Sequence, residues 1–190
     1  DGRLREHHRV MLRLELAALD DAEARVAAVE AEIERRLAPY QHLVELLCTI
    51  PGVDRVGAAA LLAEIGTDVK AFPSAQHLAA WTGICPGNNE SAGKARGVTA
   101  RKGNVHLRTS LVEAAQAAKN KRGSYLRDKY YRLRARRGGK RAIVAIAHKI
   151  LISVYHMLDR GQPYADLGEG HLDRDKRDSI VKGLVKKKKK

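Results

Sequence analysis

Aromatic side chains are scarce in this 190-residue chain: they make up 4% of it, with one Trp and one Phe. Its core must come from Leu, Ile, Val and Ala, which favours helices. Cys48 and Cys85 are the only cysteines. Two of them give neither a disulfide framework nor a zinc pattern, and they fit a reducing compartment. The first ten residues are charged throughout, unlike a signal peptide. The longest apolar stretch, within 140–159, is interrupted by His148 and Lys149 and is shorter than a typical membrane span.

Several catalytic signatures are missing too. The segment GNNESAGK suggests a phosphate-binding P-loop, but five residues separate Gly87 from Gly93 where four are needed. No Ser or Thr follows Lys94, and no strand precedes the segment. A GxSxG elbow is absent. Cys85 has no evident base partner, and Glu90 stands without a second carboxylate to share a metal. His148 and His156 lie on one face without acidic company, as core or rim residues do. No metal site is expected in this segment.

Positive charge is abundant. The formal net charge is +14, and residues 91–141 alone hold sixteen Lys and Arg against two acids. A field so concentrated points to a phosphate polymer, because neutralising phosphates releases counterions. A merely solvating basic face would be spread more evenly. Within this block Tyr125, Tyr130 and Tyr131 interleave with Arg127, Lys129, Arg132, Arg134, Arg136 and Arg137. Tyr and Arg together can clamp a nucleic-acid strand. Leu126, Tyr130 and Leu133 also fit a plain buried stripe.

The pattern predicts an all-α chain in three parts. Residues 1–40 are the first part, in which 4–38 lack Gly and Pro and read as one long helix ended by Pro39. Leu12, Leu16, Leu19, Val26, Ile33 and Leu37 follow an imperfect heptad with Glu23 and Glu30 in the seam, consistent with a coiled coil or with packing on its own domain. Residues 41–168 form a helical domain, with a buried central helix near 140–159. Residues 169–190 read as a disordered basic tail ending in five lysines. Trp81 reads as core.

Two features of the helical domain stand out. At about 46–66, Ile50-Pro51-Gly52-Val53 and Gly57 before an alanine-rich helix resemble a helix-hairpin-helix, a DNA-backbone binder whose helix-start amides face phosphate. Asp54 departs from it, since a carboxylate there repels phosphate. The second feature is the polar, glycine-rich loop 82–103 around Ser91, long enough to imply binding. Ser Oγ can attack a phosphodiester if cations stabilise the transition state. Lys94, Arg96, Arg101, Lys102 and Arg108 are the candidates, with Asn104 beside them and Arg127 and Arg134 on the basic helix. Glu90 and His106 are possible bases for the serine.

The run Ile50-Pro51-Gly52, Gly83-Ile84-Cys85-Pro86, Asn89-Glu90-Ser91-Ala92-Gly93-Lys94, Arg101-Lys102-Gly103-Asn104 and Leu107-Arg108 resembles the C-terminal domain of the IS-one-ten family of bacterial transposases, which includes the Piv-type invertases. The resemblance covers about residues 45–168, with 4–38 like the preceding coiled coil. It implies a DNA recombinase in which Ser91 forms a phosphoserine link to DNA. It also implies donor and target DNA as partners, a structured guide RNA, dimers or tetramers, and no membrane. The family's N-terminal nuclease-fold domain binds Mg²⁺ through acidic residues. Nothing in this chain matches that domain, so the chain reads as an excised C-terminal portion or a truncated gene product, with Mg²⁺ expected only through the missing part. A non-catalytic nucleic-acid-binding module, using the hairpin and the basic helix, is the alternative.

Overall fold

The computed structural model describes residues 4–85, 90–91, 94–95, 102–174 and 176–177. The fold is all-α, as expected. The chain divides into two compact units, Asp1–Gln41 and His42–Lys190.

The first unit is a single helix, α1 (Glu6–Leu37), followed by a 3-10 turn at Ala38–Tyr40. Pro39 stands in the first positions of that turn, where its missing N–H costs nothing. None of the residues of α1 is buried. The seam residues Leu12, Leu16, Leu19, Val26 and Ile33 are all 47–58% exposed. Its surface carries short-range ion pairs, such as Arg25 with Asp21 at 2.7 Å, each worth a few tenths of a kcal/mol.

The second unit begins with α2 (Gln41–Cys48) and α3 (Arg55–Ile65), then α4 (Ala75–Thr82). A two-residue antiparallel pair follows, β1 (Glu90–Ser91) with β2 (Lys94–Ala95), the one extended pairing among the described residues. Then come α5 (Val105–Ala118), α6 (Tyr125–Arg137) and α7 (Gly139–Arg160). Four of these helices start at side-chain caps. Asp54 accepts from Gly57 N, Ser74 from His77 N, Asn104 from Leu107 N and Ser124 from Arg127 N. Each cap satisfies a backbone donor left over by the helix start.

Helix α7 is the centre. It packs against α4, α5 and α6, while α3 lies on α5. Ile146, Ala147, Ile150, Leu151 and Val154 of α7 are fully buried, together with Leu107, Leu111 and Leu126 from its neighbours. At 22 residues α7 is longer than the apolar run in the sequence, and it is long and apolar enough to cross a membrane. Eight of its residues nevertheless lie in the protein core. Tyr155 on α7 donates its hydroxyl to Phe72 O at 3.1 Å, tying α7 to the α3–α4 connection.

Two expectations need correction. Trp81 is 43% exposed on α4, with its ring tilted against Phe72 and the centroids 5.5 Å apart. The tail does not begin as a loose segment at Glu169. Glu169 N donates to Gly123 O at 3.0 Å, residues 171–174 are helical, and Asp173 pairs with Arg132 of α6. His171 also packs edge-on against Tyr125, with centroids 5.8 Å apart. Alternating charge in DRDKR hides this docking, since its anchors lie about forty residues upstream. The five terminal lysines lie outside the described residues.

Candidate nucleic-acid interface

The serine loop leaves α4 and returns to α5, and its two ends are joined. Gly83 caps α4 in the left-handed region, with φ of 78°. Asn104 N donates to Trp81 O at 3.4 Å. Gly103 lies flat against the end of α4: a Cβ there would fall 2.5 Å from the Thr82 carbonyl. Only glycine permits this approach. Asn104 then fixes the returning strand, with its side-chain Nδ2 donating to Glu64 Oε2 at 2.6 Å.

Between these ends, the β1–β2 register sets Ser91 opposite Lys94, and Glu90 opposite Ala95. The backbone register thus pairs the position of the candidate nucleophile with that of one candidate cation. Arg96 and Arg101 lie outside the described residues. Lys102 is exposed at the return of the loop, and Arg108 is partly buried near the start of α5. His106 is exposed on the first turn of α5.

The structure gives Asn104 a scaffolding position, with its oxygen capping α5 and its nitrogen on Glu64. Arg127 and Arg134 lie on a different helix, two turns apart on one face of α6. Tyr131 sits between them, 43% exposed, with the Arg127 guanidinium 5.2 Å from its ring centroid. Arg127 also approaches Glu169 at 3.8 Å. This guanidinium–aromatic stripe suits a nucleic-acid backbone and bases. Arg132 is committed elsewhere, to Asp128 at 3.0 Å and to Asp173. These carboxylates hold its guanidinium well above the usual range, and Arg132 in turn holds Asp173 below the usual carboxylate range.

The α2–α3 hairpin is backed by protein. Gly52 has φ of 90°, and a Cβ there would fall 2.3 Å from Ala114 O of α5. Pro51 and Gly52 therefore set the seat of the hairpin on α5. Asp54 Oδ1 takes the Gly57 amide at 2.8 Å, and Gly57 is packed tightly beneath it. An incoming phosphate would have to displace this carboxylate from the helix start. Among the described residues, no group of three or more His, Cys, Asp or Glu comes together to hold a metal.

Residues 44–132 match the model of the IS116/IS110/IS902 transposase family. That span runs from the hairpin through the serine loop to the basic helix. The chain is 34% identical over 121 residues to the transposase of insertion sequence element IS1111A of Coxiella burnetii, covering 61% of this chain and 33% of that one. It is 34% identical over 141 residues to a 43.6 kDa protein of insertion element IS110 in Streptomyces coelicolor, covering 72% and 34%. It is 30% identical over 133 residues to the pilin gene-inverting protein of Moraxella bovis, covering 65% and 39%. The chain spans about a third of the length of the curated relatives it matches. Residues 44–132 thus carry a domain of the transposase class. Within that class it belongs to the IS116/IS110/IS902 family.

Proposed function

We propose that this chain is the phosphodiester-handling part of a DNA transposase, with Ser91 as its nucleophile. The observation that carries the reading is the family match over 44–132, which encloses the one serine loop and its closed base. Ser91 Oγ attacks a backbone phosphorus. A P–Oγ bond forms as the bond from phosphorus to one deoxyribose oxygen breaks, and the leaving oxygen takes up a proton. A strand hydroxyl attacking the phosphoserine reverses the step and joins a new DNA partner. Lys94 is paired with Ser91 in the backbone register, and Lys102 and Arg108 flank the return of the loop. Together with Arg96 and Arg101 they would hold the non-bridging oxygens, where one well-placed donor contributes roughly 3 kcal/mol to the barrier.

Donor and target DNA are the substrates in this reading, and the exposed stripe of α6 tracks a strand. A structured guide RNA selects the sites, and the exposed seam of α1 joins copies into dimers or tetramers. Mg²⁺ enters through a separate acidic domain of the whole protein, so the isolated chain binds nucleic acid without completing strand exchange.

A covalent-trapping assay tests the chemistry. The whole protein carrying this segment is mixed with nicked donor-junction DNA and Mg²⁺, then run on a denaturing gel. A protein–DNA adduct that disappears in Ser91→Ala, with DNA binding kept, supports the serine reading. DNA binding without any adduct would assign the chain to the non-catalytic binding modules.

A further inference from the structure

The Gly138-Gly139 elbow between α6 and α7 has no role in the chemistry above. Gly138 ends α6 and starts α7 with φ of 78°, a left-handed conformation that favours glycine. Glycine offers no side chain, so α7 begins without a side-chain cap. Its first amides lack the partner that Asp54, Ser74, Asn104 and Ser124 give α3, α4, α5 and α6. A helix start of this kind attracts phosphate.

A groove of about 400 Å³ opens beside this helix start. Val112, Ile143 and Val144 form an apolar floor, and Lys119 and Lys140 stand at its edges. Tyr130 lines the groove while being only 6% exposed. Its hydroxyl makes no hydrogen bond among the described residues. It points towards Gly139, where an added Cβ would lie 3.7 Å from it. The hydroxyl itself is open to the groove, since among the described residues Asp128 Oδ2 is the one enclosed side-chain polar atom without a partner. It can donate to whatever enters the groove. Lys119 is already positioned, with Nζ 5.8 Å from the Tyr130 ring centroid and donating to Gln116 Oε1 at 2.5 Å.

The other face of α5 provides the contrast. A groove of about 380 Å³ runs between α5 and the hairpin, but Asp54 and Glu113 line it. Carboxylates repel phosphate, whereas the groove at the elbow has none in its lining. Arg136, Arg137 and Arg141 are exposed around the elbow and extend its positive field.

We infer that this groove holds one unpaired nucleotide of a DNA strand. The phosphate sits on the α7 helix start between Lys119 and Lys140. The base lies on the Val112–Val144 floor, and the Tyr130 hydroxyl donates to the sugar or phosphate oxygen. Deoxyribose fits the apolar floor without burying an unpaired 2′-hydroxyl. The inference rests on the reading of the chain as a DNA-binding segment and gives that reading a strand-state preference.

The test is fluorescence anisotropy with the 190-residue chain at fixed salt. The probes are a short fluorescein-labelled deoxythymidine strand, a blunt duplex, and a uridine strand of equal length. Tyr130→Phe removes only the hydroxyl and should weaken single-strand DNA binding about threefold. Val144→Glu, at an exposed position, should weaken it about tenfold by placing a like charge near the phosphate. Duplex affinity should change less than about twofold in both, since the duplex is held by the wider basic face. Equal loss for strand and duplex, or no change for either, would overturn the groove assignment and leave DNA binding in place. Equal sensitivity of the uridine strand would overturn the DNA assignment. Failure of the unaltered chain to bind any probe would overturn the parent reading as well. Thermal melts of both variants confirm that the fold persists.

Discussion

The side chain of Asn104 joins two helices that are forty residues apart in sequence. Its Oδ1 caps α5 at Leu107 N, 2.9 Å away, and its Nδ2 donates to Glu64 Oε2 of α3 at 2.6 Å. One residue thereby starts the helix after the serine loop and fixes that start to the hairpin. Asn104→Ala removes both bonds and leaves Glu64 without its donor. It should cost about 2 kcal/mol, or roughly 4–8 °C in melting temperature.

Asn104→Asp separates the two functions. The new carboxylate can still cap α5, but it meets Glu64 with like charge. Stability should fall at pH 7 and recover as the pH drops towards 5, where one of the two acids binds a proton and donates to the other. Thermal melts across this range read the effect. A variant no less stable at pH 7 than at pH 5, relative to wild type, would contradict the contact.

Gly52→Ala probes the seat of the hairpin. The positive φ and the 2.3 Å approach to Ala114 O leave no room for a methyl group. The change should destabilise the second unit by roughly 2–4 kcal/mol through strain and overpacking. Chemical denaturation checks it, and a midpoint equal to wild type would show that the turn does not press on α5.

His148 gives the helical core a pH dependence. Burial first, and then neighbouring Lys149, pushes its imidazole below the usual value of 6.5. The unfolded chain binds a proton there more readily than the folded one. The contribution of His148 is thus complete above pH 6.5 and declines as the pH falls below it, towards the depressed folded value. Melting temperature should drop over that interval, and His148→Gln should flatten the drop. An unchanged slope in the variant would refute the assignment.

Asp173 and Arg132 make the docking of residues 169–174 acid-sensitive. The pair depresses the pKa of Asp173, so its contribution is present above pH 3.8 and is lost as the pH falls through the folded value. Asp173→Asn should speed amide hydrogen exchange in 169–174 at neutral pH without shifting the main melt. Unaltered exchange would mean that Glu169, His171 and the backbone hold the segment alone.

Local signals in the sequence gave much of this architecture. Ser74 and Asn104 mark helix starts by their chemistry, and Pro39 and Gly66 mark ends. Asp54 was visible as a departure from the hairpin pattern, but only the structure shows its oxygen on the Gly57 amide. Features set by distant contacts were not legible. Nothing local distinguishes Arg132, committed to Asp128 and Asp173, from Arg134, which is exposed. Gly103 reads as one glycine among many until its approach to Thr82 is seen. The groove at Tyr130 arises where three helices meet, with only Gly138-Gly139 to hint at it. For the candidate site, the backbone register of Ser91 and Lys94 lies within the described residues, and Arg96 and Arg101 lie outside them.

The closed base of the serine loop separates folding from chemistry. Residues 84–103 leave and re-enter the domain at one place, where Asn104 N meets Trp81 O. The core therefore needs the two ends to meet, with Ile84 buried and Gly103 against Thr82. Closing a loop twice as long costs only about 0.6 kcal/mol more. Added length in the middle of this loop is thus cheap for the helical frame, whereas the residues that pack at its ends, Ile84 in the core and Gly103 against Thr82, are not free to change.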